Sequence, residues 1–170
     1  ARKNLTIDAS ALPDGIILDG SKRSRIFNVP EGNFTNVLTS LIISNGNEEQ
    51  DGAGIYNRGD LTLNRCQFRR NRGHVGAALY HLQGRAVLND CLFADNKASY
   101  GGAIMNWGTL VAHRCTFSAN HASYTGGGAI HNGGDGKEYG ILELNQCTLS
   151  GNTCTDTWAG RGMGGGLFNQ

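Results

Sequence analysis

The chain has only two prolines in 170 residues and no apolar run near the roughly 20 residues that a membrane-spanning helix requires. It has little charge of either sign in excess. Its 15 Lys and Arg against 14 Asp and Glu leave +1, which removes the electrostatic case for nucleic acid or an anionic membrane as partner. Close cysteine pairs of the kind zinc favours are missing, although five cysteines are present. The glycine-rich stretch Gly160–Gly166 is not followed by Gly-Lys-Ser/Thr, so it is no phosphate loop, and no cofactor is implied. The first residue is Ala1, not Met, which reads as a processed or excised piece, so the start does not report localisation. What is abundant is glycine, 26 residues, and it recurs in step with other residues.

One phrase occurs four times, as Cys66–Asn71, Cys91–Asn96, Cys115–Asn120 and Cys147–Asn152. Its cysteines lie 25, 24 and 32 residues apart, a spacing that marks stacked structural units. A second phrase runs in step with it, at Gly52–Asn57, Gly76–His81, Gly101–Asn106, Gly127–Asn132 and Gly164–Asn169. Between them sit short apolar stretches such as Leu61-Thr62-Leu63 and Leu110-Val111-Ala112. Apolar residues alternate within each stretch, the period of a half-buried strand. The stretches are too short for helices, and a glycine inside every helical repeat would cost about 1 kcal/mol each time. The pattern predicts an all-β fold, a right-handed single-stranded parallel β-helix of about 24–26 residues per coil with three short strands each. Residues 1–170 read as one domain, with degenerate coils over 1–39, regular repeats over 40–170, and insertions near 133–139 and 153–163.

Stacking assigns roles to columns. Cys66, Cys91, Cys115 and Cys147 point inward as small hydrophobes, with a Cys147–Cys154 disulfide as the alternative pairing. Asn71, Asn96, Asn120 and Asn152 form one structural ladder, which Asn45 extends. Asn57, Asn106, Asn132 and Asn169 form another, with His81 in place of Asn in one coil. Asn suits the left-handed backbone of a tight corner, and its amide bonds the next amide in the column. Ser10 falls in the cysteine slot of the first coil, and Ser40–Asn45 reads as the first copy of the cysteine phrase. A further column, Arg65, Asp90, Arg114 and Gln146, alternates in charge, for which modest pairing is expected.

Functional candidates are few. Tyr56, Tyr80, Met105, His131 and Phe168 form an outward stripe, which reads either as a docking surface for a host protein or glycan or as plain strand propensity. The five histidines fall in different phases of the repeat, so no metal site is expected. The acids do not share a column. Asp90 and Asp95 occupy one coil with Arg65 and Arg114 flanking Asp90, while Asp51, Asp60, Asp135, Glu138 and Asp156 read as loop residues, so no catalytic residue is assigned. Asn4 and Asn33 match the glycosylation acceptor pattern, a match that also arises by chance.

Phe68/Asn71, Phe93/Asn96 and Phe117/Asn120, alternating with Gly101–Ile104 and Gly127–Ile130, resemble the polymorphic outer membrane protein repeats of chlamydiae over residues 40 to 170. That resemblance implies a bacterial β-helix exported to the cell surface or secreted, often with an adhesin role. The chain stops after the phrase that elsewhere precedes a Leu-x-Leu strand and begins with such a strand. Two readings follow: head-to-tail self-assembly into an extracellular fibre, with a second copy as partner, or a piece of a longer β-helix. The sequence therefore points to a non-catalytic structural or adhesive module, with a carbohydrate-binding or polysaccharide-degrading protein as the alternative.

Overall fold

The computed structural model describes residues 3–49, 51–133, 140–155 and 164–170. The chain winds as a parallel β-helix of six rungs. The first face stacks Leu5–Asp8, Thr35–Thr39, Asp60–Asn64, Arg85–Asn89, Thr109–His113 and Ile141–Asn145. The second stacks Ile16–Asp19, Leu41–Ser44, Gln67–Arg69, Leu92–Ala94, Thr116–Ser118 and Thr148–Ser150. The third stacks Phe27–Val29, Ile55–Asn57, Leu79–His81, Ile104–Asn106, Ile130–Asn132 and Leu167–Asn169. The described strand pairs are all parallel and in register, apart from one shift between Ala98 and Tyr100, so each position lies about 4.8 Å above its equivalent. No helix among the described residues is long and apolar enough to cross a membrane.

The core is built from columns rather than from one cluster. Phe68, Phe93 and Phe117 are fully buried and stack face to face, with centroids 4.8 and 4.9 Å apart. Ile43 lies under Phe68 and Leu149 over Phe117, so an aliphatic side chain closes each end of the aromatic pile. Cys66, Cys91 and Cys115 are buried and Cys147 is half-buried, in one column behind the phenylalanines. Each thiol donates to carbonyls of its own corner and of the previous rung, as Cys66 does to Leu38 at 3.4 Å. The hydrogen-bonded thiols of Cys115 and Cys66, then burial, hold Cys91 well above the ordinary thiol range, while the same hydrogen bonds to Cys91 lower Cys66 and Cys115. All five cysteines are free, and Cys154 lies on a different face from Cys147.

Two sharp corners use residues in the left-handed region. Arg65, Asp90, Arg114 and Gln146 turn the chain from the first face to the second, with φ between 50° and 56°. Arg70, Asp95 and Ala119 do the same after the second face, with φ between 52° and 57°. The ladder residues Asn71, Asn96 and Asn120 follow the left-handed residue and do not occupy it, contrary to the expectation from asparagine's backbone tolerance. Their amides fill the inside of the corner instead.

Register corrects three assignments at the first rungs. Leu41, not Ser40, stands on the cysteine column, because Ile42 pairs with Gln67. Asn45 therefore aligns with Arg70, and Gly46 takes the ladder position, its N–H donating to Asn71 Oδ1 at 2.9 Å. Ile16, not Ser10, begins that column, since residues 9–15 form a loop in which Ser10 is exposed. A one-residue slip exchanges the faces of a strand, and the buried Leu41 and Ile43 fix which register wins.

A fourth face was not expected. Lys97–Tyr100, His121–Thr125 and Thr153–Cys154 pair as a short parallel sheet between the second and third faces. Bridges from Asn47 to Arg72 and from Arg72 to Lys97 carry the column back two rungs. Thr153 and Cys154 thus begin the stretch read as an insertion with a strand, while 134–139 and 156–163, with Asp135, Glu138 and Asp156, lie outside the described residues.

Candidate functional site

The stripe Tyr56, Tyr80, Met105, His131 and Phe168 does stack in one column on the third face. It is not an open surface. Tyr80, Met105 and His131 are about 5–6% exposed, and Tyr56 and Phe168 are half-buried. Tyr80 packs edge-on between Tyr56 and Trp107, at 5.4 and 5.7 Å. The Arg25 and Arg58 guanidiniums lie over the Tyr56 ring at 5.0 and 5.6 Å. His131 packs on Phe168 at 4.9 Å, and the Gly126 turn closes on its ring so tightly that a Cβ there would sit 2.3 Å from Nδ1. Burial lowers the His131 pKa. The stripe is a second packed layer outside the β-helix core, so among the described residues it forms no open aromatic docking surface on this face.

The two ladders form, the first without Asn45. Asn71 Nδ2 donates to Asn96 Oδ1, Asn96 to Asn120 and Asn120 to Asn152, at 2.9–3.0 Å. The same three Nδ2 groups also donate to Ile43, Phe68 and Phe93 carbonyls. In the second ladder Asn57 meets His81 at 2.9 Å, and Asn106 and Asn132 bond their upper neighbours at 2.6 and 2.7 Å. Asn106 Oδ1 is buried without a partner, because His81 has no donor directed to it. His81 is buried, and desolvation pushes its pKa down to about 4. These residues are structural: Asn71 lines the inner wall of the groove described next, but its amide is already bonded to the Gly46 N–H, the Ile43 carbonyl and Asn96.

The open groove lies at the corner between the second and fourth faces. It encloses about 690 Å³, and Lys22, Arg70, Arg72, Asp95 and Lys97 line it. A second hollow of about 310 Å³ shares Arg72 and Lys97 and continues to His121 and Ser123. The lining comes from consecutive rungs. Asn47, Arg72, Lys97, His121 and Thr153 form one register column, and Lys22 sits a rung before Asn47, whose amide bonds the Lys22 carbonyl at 3.1 Å. The position directly after each ladder asparagine is thus Arg72, Lys97 and His121 in three successive coils. The chain turns there, so these long side chains project outward while the asparagine turns in. Lys22, Arg70, Arg72 and Lys97 are exposed and make no direct ion pair among the described residues.

Beside the cations, on the far edge of the fourth face, His74, Tyr100 and Tyr124 step up the stack. Their rings meet edge-on at 5.4 Å in both pairs. His74 and Tyr124 are exposed, the latter by 43%, and Tyr100 is half-buried. This stripe was missed in the sequence, although Ala98-Ser99-Tyr100 and Ala122-Ser123-Tyr124 repeat the same three residues in adjacent coils.

The acids are dispersed. Asp90 is held by Arg114 in a two-pronged pair of 2.7 and 2.8 Å, which keeps its carboxyl below the ordinary range. Asp60 is the first residue of a strand, not a loop residue, and accepts the Arg85 N–H at 2.9 Å. Asp51 has a raised pKa, chiefly from burial; Glu48 adds to this, while His74 and Arg25 oppose it. No group of three or more His, Cys, Asp or Glu positioned to hold a metal occurs among the described residues. Asn4 and Asn33 are both exposed, and Asn4 Oδ1 accepts the Thr35 N–H at 3.0 Å.

No curated protein and no solved structure matches the chain. A family model does, described as right handed beta helix region, and it matches residues 3–166. With parallel rungs, inward columns and nearly the whole length matched, the chain belongs to the right-handed β-helix family.

Proposed function

We propose that the protein is a non-catalytic binding module, a rigid β-helix that displays the groove between its second and fourth faces to an extended ligand. The observation that carries this reading is the composition of the groove across rungs: four cations with no direct ion pair among the described residues line it beside one carboxylate, Asp95, with Asp19 near enough to Arg70 and Lys22 to feel their charge. A ligand lying along the stack meets an equivalent side chain every rung, about 4.8 Å. Glycoside hydrolysis instead needs two carboxylates flanking one bond. The resemblance to chlamydial surface repeats supports an exported, adhesive setting for such a module, and the rungs exposing Leu5 and Ile16 at one end and Ile141 and Leu167 at the other are compatible with further stacking.

A polysaccharide-degrading role is the second reading, favoured by one feature. Asp51, with its raised pKa, lies near enough to Glu48, Arg25 and His74 to feel their charge, and His74 begins the aromatic stripe. Incubation with a polysaccharide panel separates the two. Retention of polymer without new reducing ends or unsaturated product supports the binding module. Product formation that Asp51→Asn abolishes supports the enzyme.

A further inference from the structure

We infer that the third face is an acid-operated gate: a proton on His81 opens the corner it shares with Asn57 and Asn106 and uncovers the aromatic layer of Tyr56, Tyr80 and Trp107. The gate lies away from the groove and does not depend on the groove's ligand. His81 stands in an asparagine position of the ladder, fully buried, with Asn57 one rung below and Asn106 one rung above. The Asn57 amide is locked. Its Nδ2 donates to the Gly59 carbonyl at 2.8 Å and its Oδ1 accepts the Gly59 N–H at 3.2 Å. Nδ2 is therefore the group that meets His81 Nδ1, at 2.9 Å. That contact makes Nδ1 an acceptor and leaves the ring's single hydrogen on Nε2, 3.3 Å from the Thr109 carbonyl.

A second proton has one place to go, Nδ1, where it faces the Asn57 donor. Turning the ring gives no relief, because the next turn closes on it so tightly that a Cβ on Gly108 would lie 2.6 Å from Nε2. Asn106 Oδ1 is a buried acceptor without a partner, but both ring nitrogens are directed elsewhere. Burial, opposed by the Thr109 and Gly84 carbonyls and the Asp60 carboxylate, holds the ring's pKa at about 4. The proton is accommodated when the corner opens to water. His131, two rungs above on the same face, is buried against Phe168 with only the neutral Gln170 favouring its charge, so it acts in the same direction. Opening is local, because the ladder from Asn71 to Asn152 and the phenylalanine pile beside it hold no group that titrates in this range. The aromatic layer moves with the corner: Tyr80 precedes His81, and the Trp107 N–H donates to the His81 carbonyl at 2.8 Å.

Hydrogen exchange of the full chain at about pH 7 and about pH 4.5, corrected for intrinsic rates, tests the gate. With a pKa of about 4 closed and the ordinary 6.5 open, opening gains a factor of roughly 80 across that interval. The Leu82 and Trp107 amides, bonded across the corner to Asn57 and His81, are expected to lose about that much protection. Gln67–Arg69 and Thr116–Ser118 on the second face should keep theirs. In His81→Asn the loss should fall below about tenfold. Trp158→Phe leaves Trp107 as the reporter, which acrylamide should quench in acid and spare at neutral pH. Equal loss on both faces, no loss, or an unchanged loss in His81→Asn overturns the gate. Nitrogen-15 shifts of the His81 ring decide without any variant. A hydrogen on Nδ1 at neutral pH, or protonation near the ordinary pKa with the corner still protected, overturns it as well.

Discussion

The two asparagine columns occupy different corners of the same coils and behave differently. The column after the second face is continuous: the amides of Asn71, Asn96 and Asn120 each donate upward, and each Oδ1 above also accepts the backbone N–H of the asparagine below. The column after the third face is interrupted where His81 replaces asparagine, leaving Asn106 Oδ1 buried and unbonded. An asparagine ladder works because each side chain is donor on one side and acceptor on the other. Neutral imidazole also has one of each, but its two nitrogens are spent on Asn57 and on the Thr109 carbonyl, 3.3 Å away. One substitution therefore converts a relay into two shorter ones and places the chain's most perturbed histidine at the break.

The largest effect is expected from breaking the continuous ladder. Asn96→Ala removes bonds to Asn71, Asn120 and the Phe68 carbonyl and strands the buried Asn71 N–H. We expect a loss of about 3 kcal/mol, read from the urea midpoint at unchanged slope. A comparable effect, specific to the interrupted ladder, is expected from acid. His81 has a folded pKa of about 4 against an ordinary value of 6.5. Between those values the unfolded chain binds the extra proton, so stability is full above pH 6.5 and falls as pH drops toward 4, by about 3 kcal/mol in all. His131, whose pKa burial also lowers, acts in the same direction. Urea unfolding at a series of pH values checks this, and a flat profile across that window would sink it.

The sharper comparison is His81→Asn, which restores an asparagine between Asn57 and Asn106. It should flatten much of the acid loss and raise neutral stability by about 1 kcal/mol, as Asn106 Oδ1 gains a donor. The smallest effect is expected from Arg114→Ala. The Arg114–Asp90 pair has two-pronged geometry, but its side chains are 55% and 44% exposed. Its loss should leave the unfolding midpoint unchanged at physiological salt.

Much of this arrangement was legible in the sequence because a solenoid repeats its decisions. The cysteine and asparagine positions recur in four of the six rungs and phenylalanine in three, so one inward assignment implied the rest. The first rungs were less legible: Ser40-Leu41-Ile42-Ile43 offers apolar residues in both phases, and only burial of Leu41 and Ile43 chooses between them. The stripe on the third face was misread because period-two alternation tells which side of a strand a residue faces, not whether another layer covers that side. Trp107 and the arginines that cover it come from corners outside the repeated phrases. The fourth face escaped notice because its strands are short and polar. Yet the basic residue directly after Asn71, Asn96 and Asn120 was a readable signal, since an outward residue next to an inward ladder must itself form a column.

Nitrogen-15 chemical-shift mapping of the protein during titration with a polysaccharide that it retains tests the central claim most directly. The account predicts shifts along Arg70–His74, Asp95–Tyr100 and His121–Tyr124, running across rungs, with the first face unperturbed. Shifts confined to the third face or to one end of the stack, or none at saturating polymer, would contradict it.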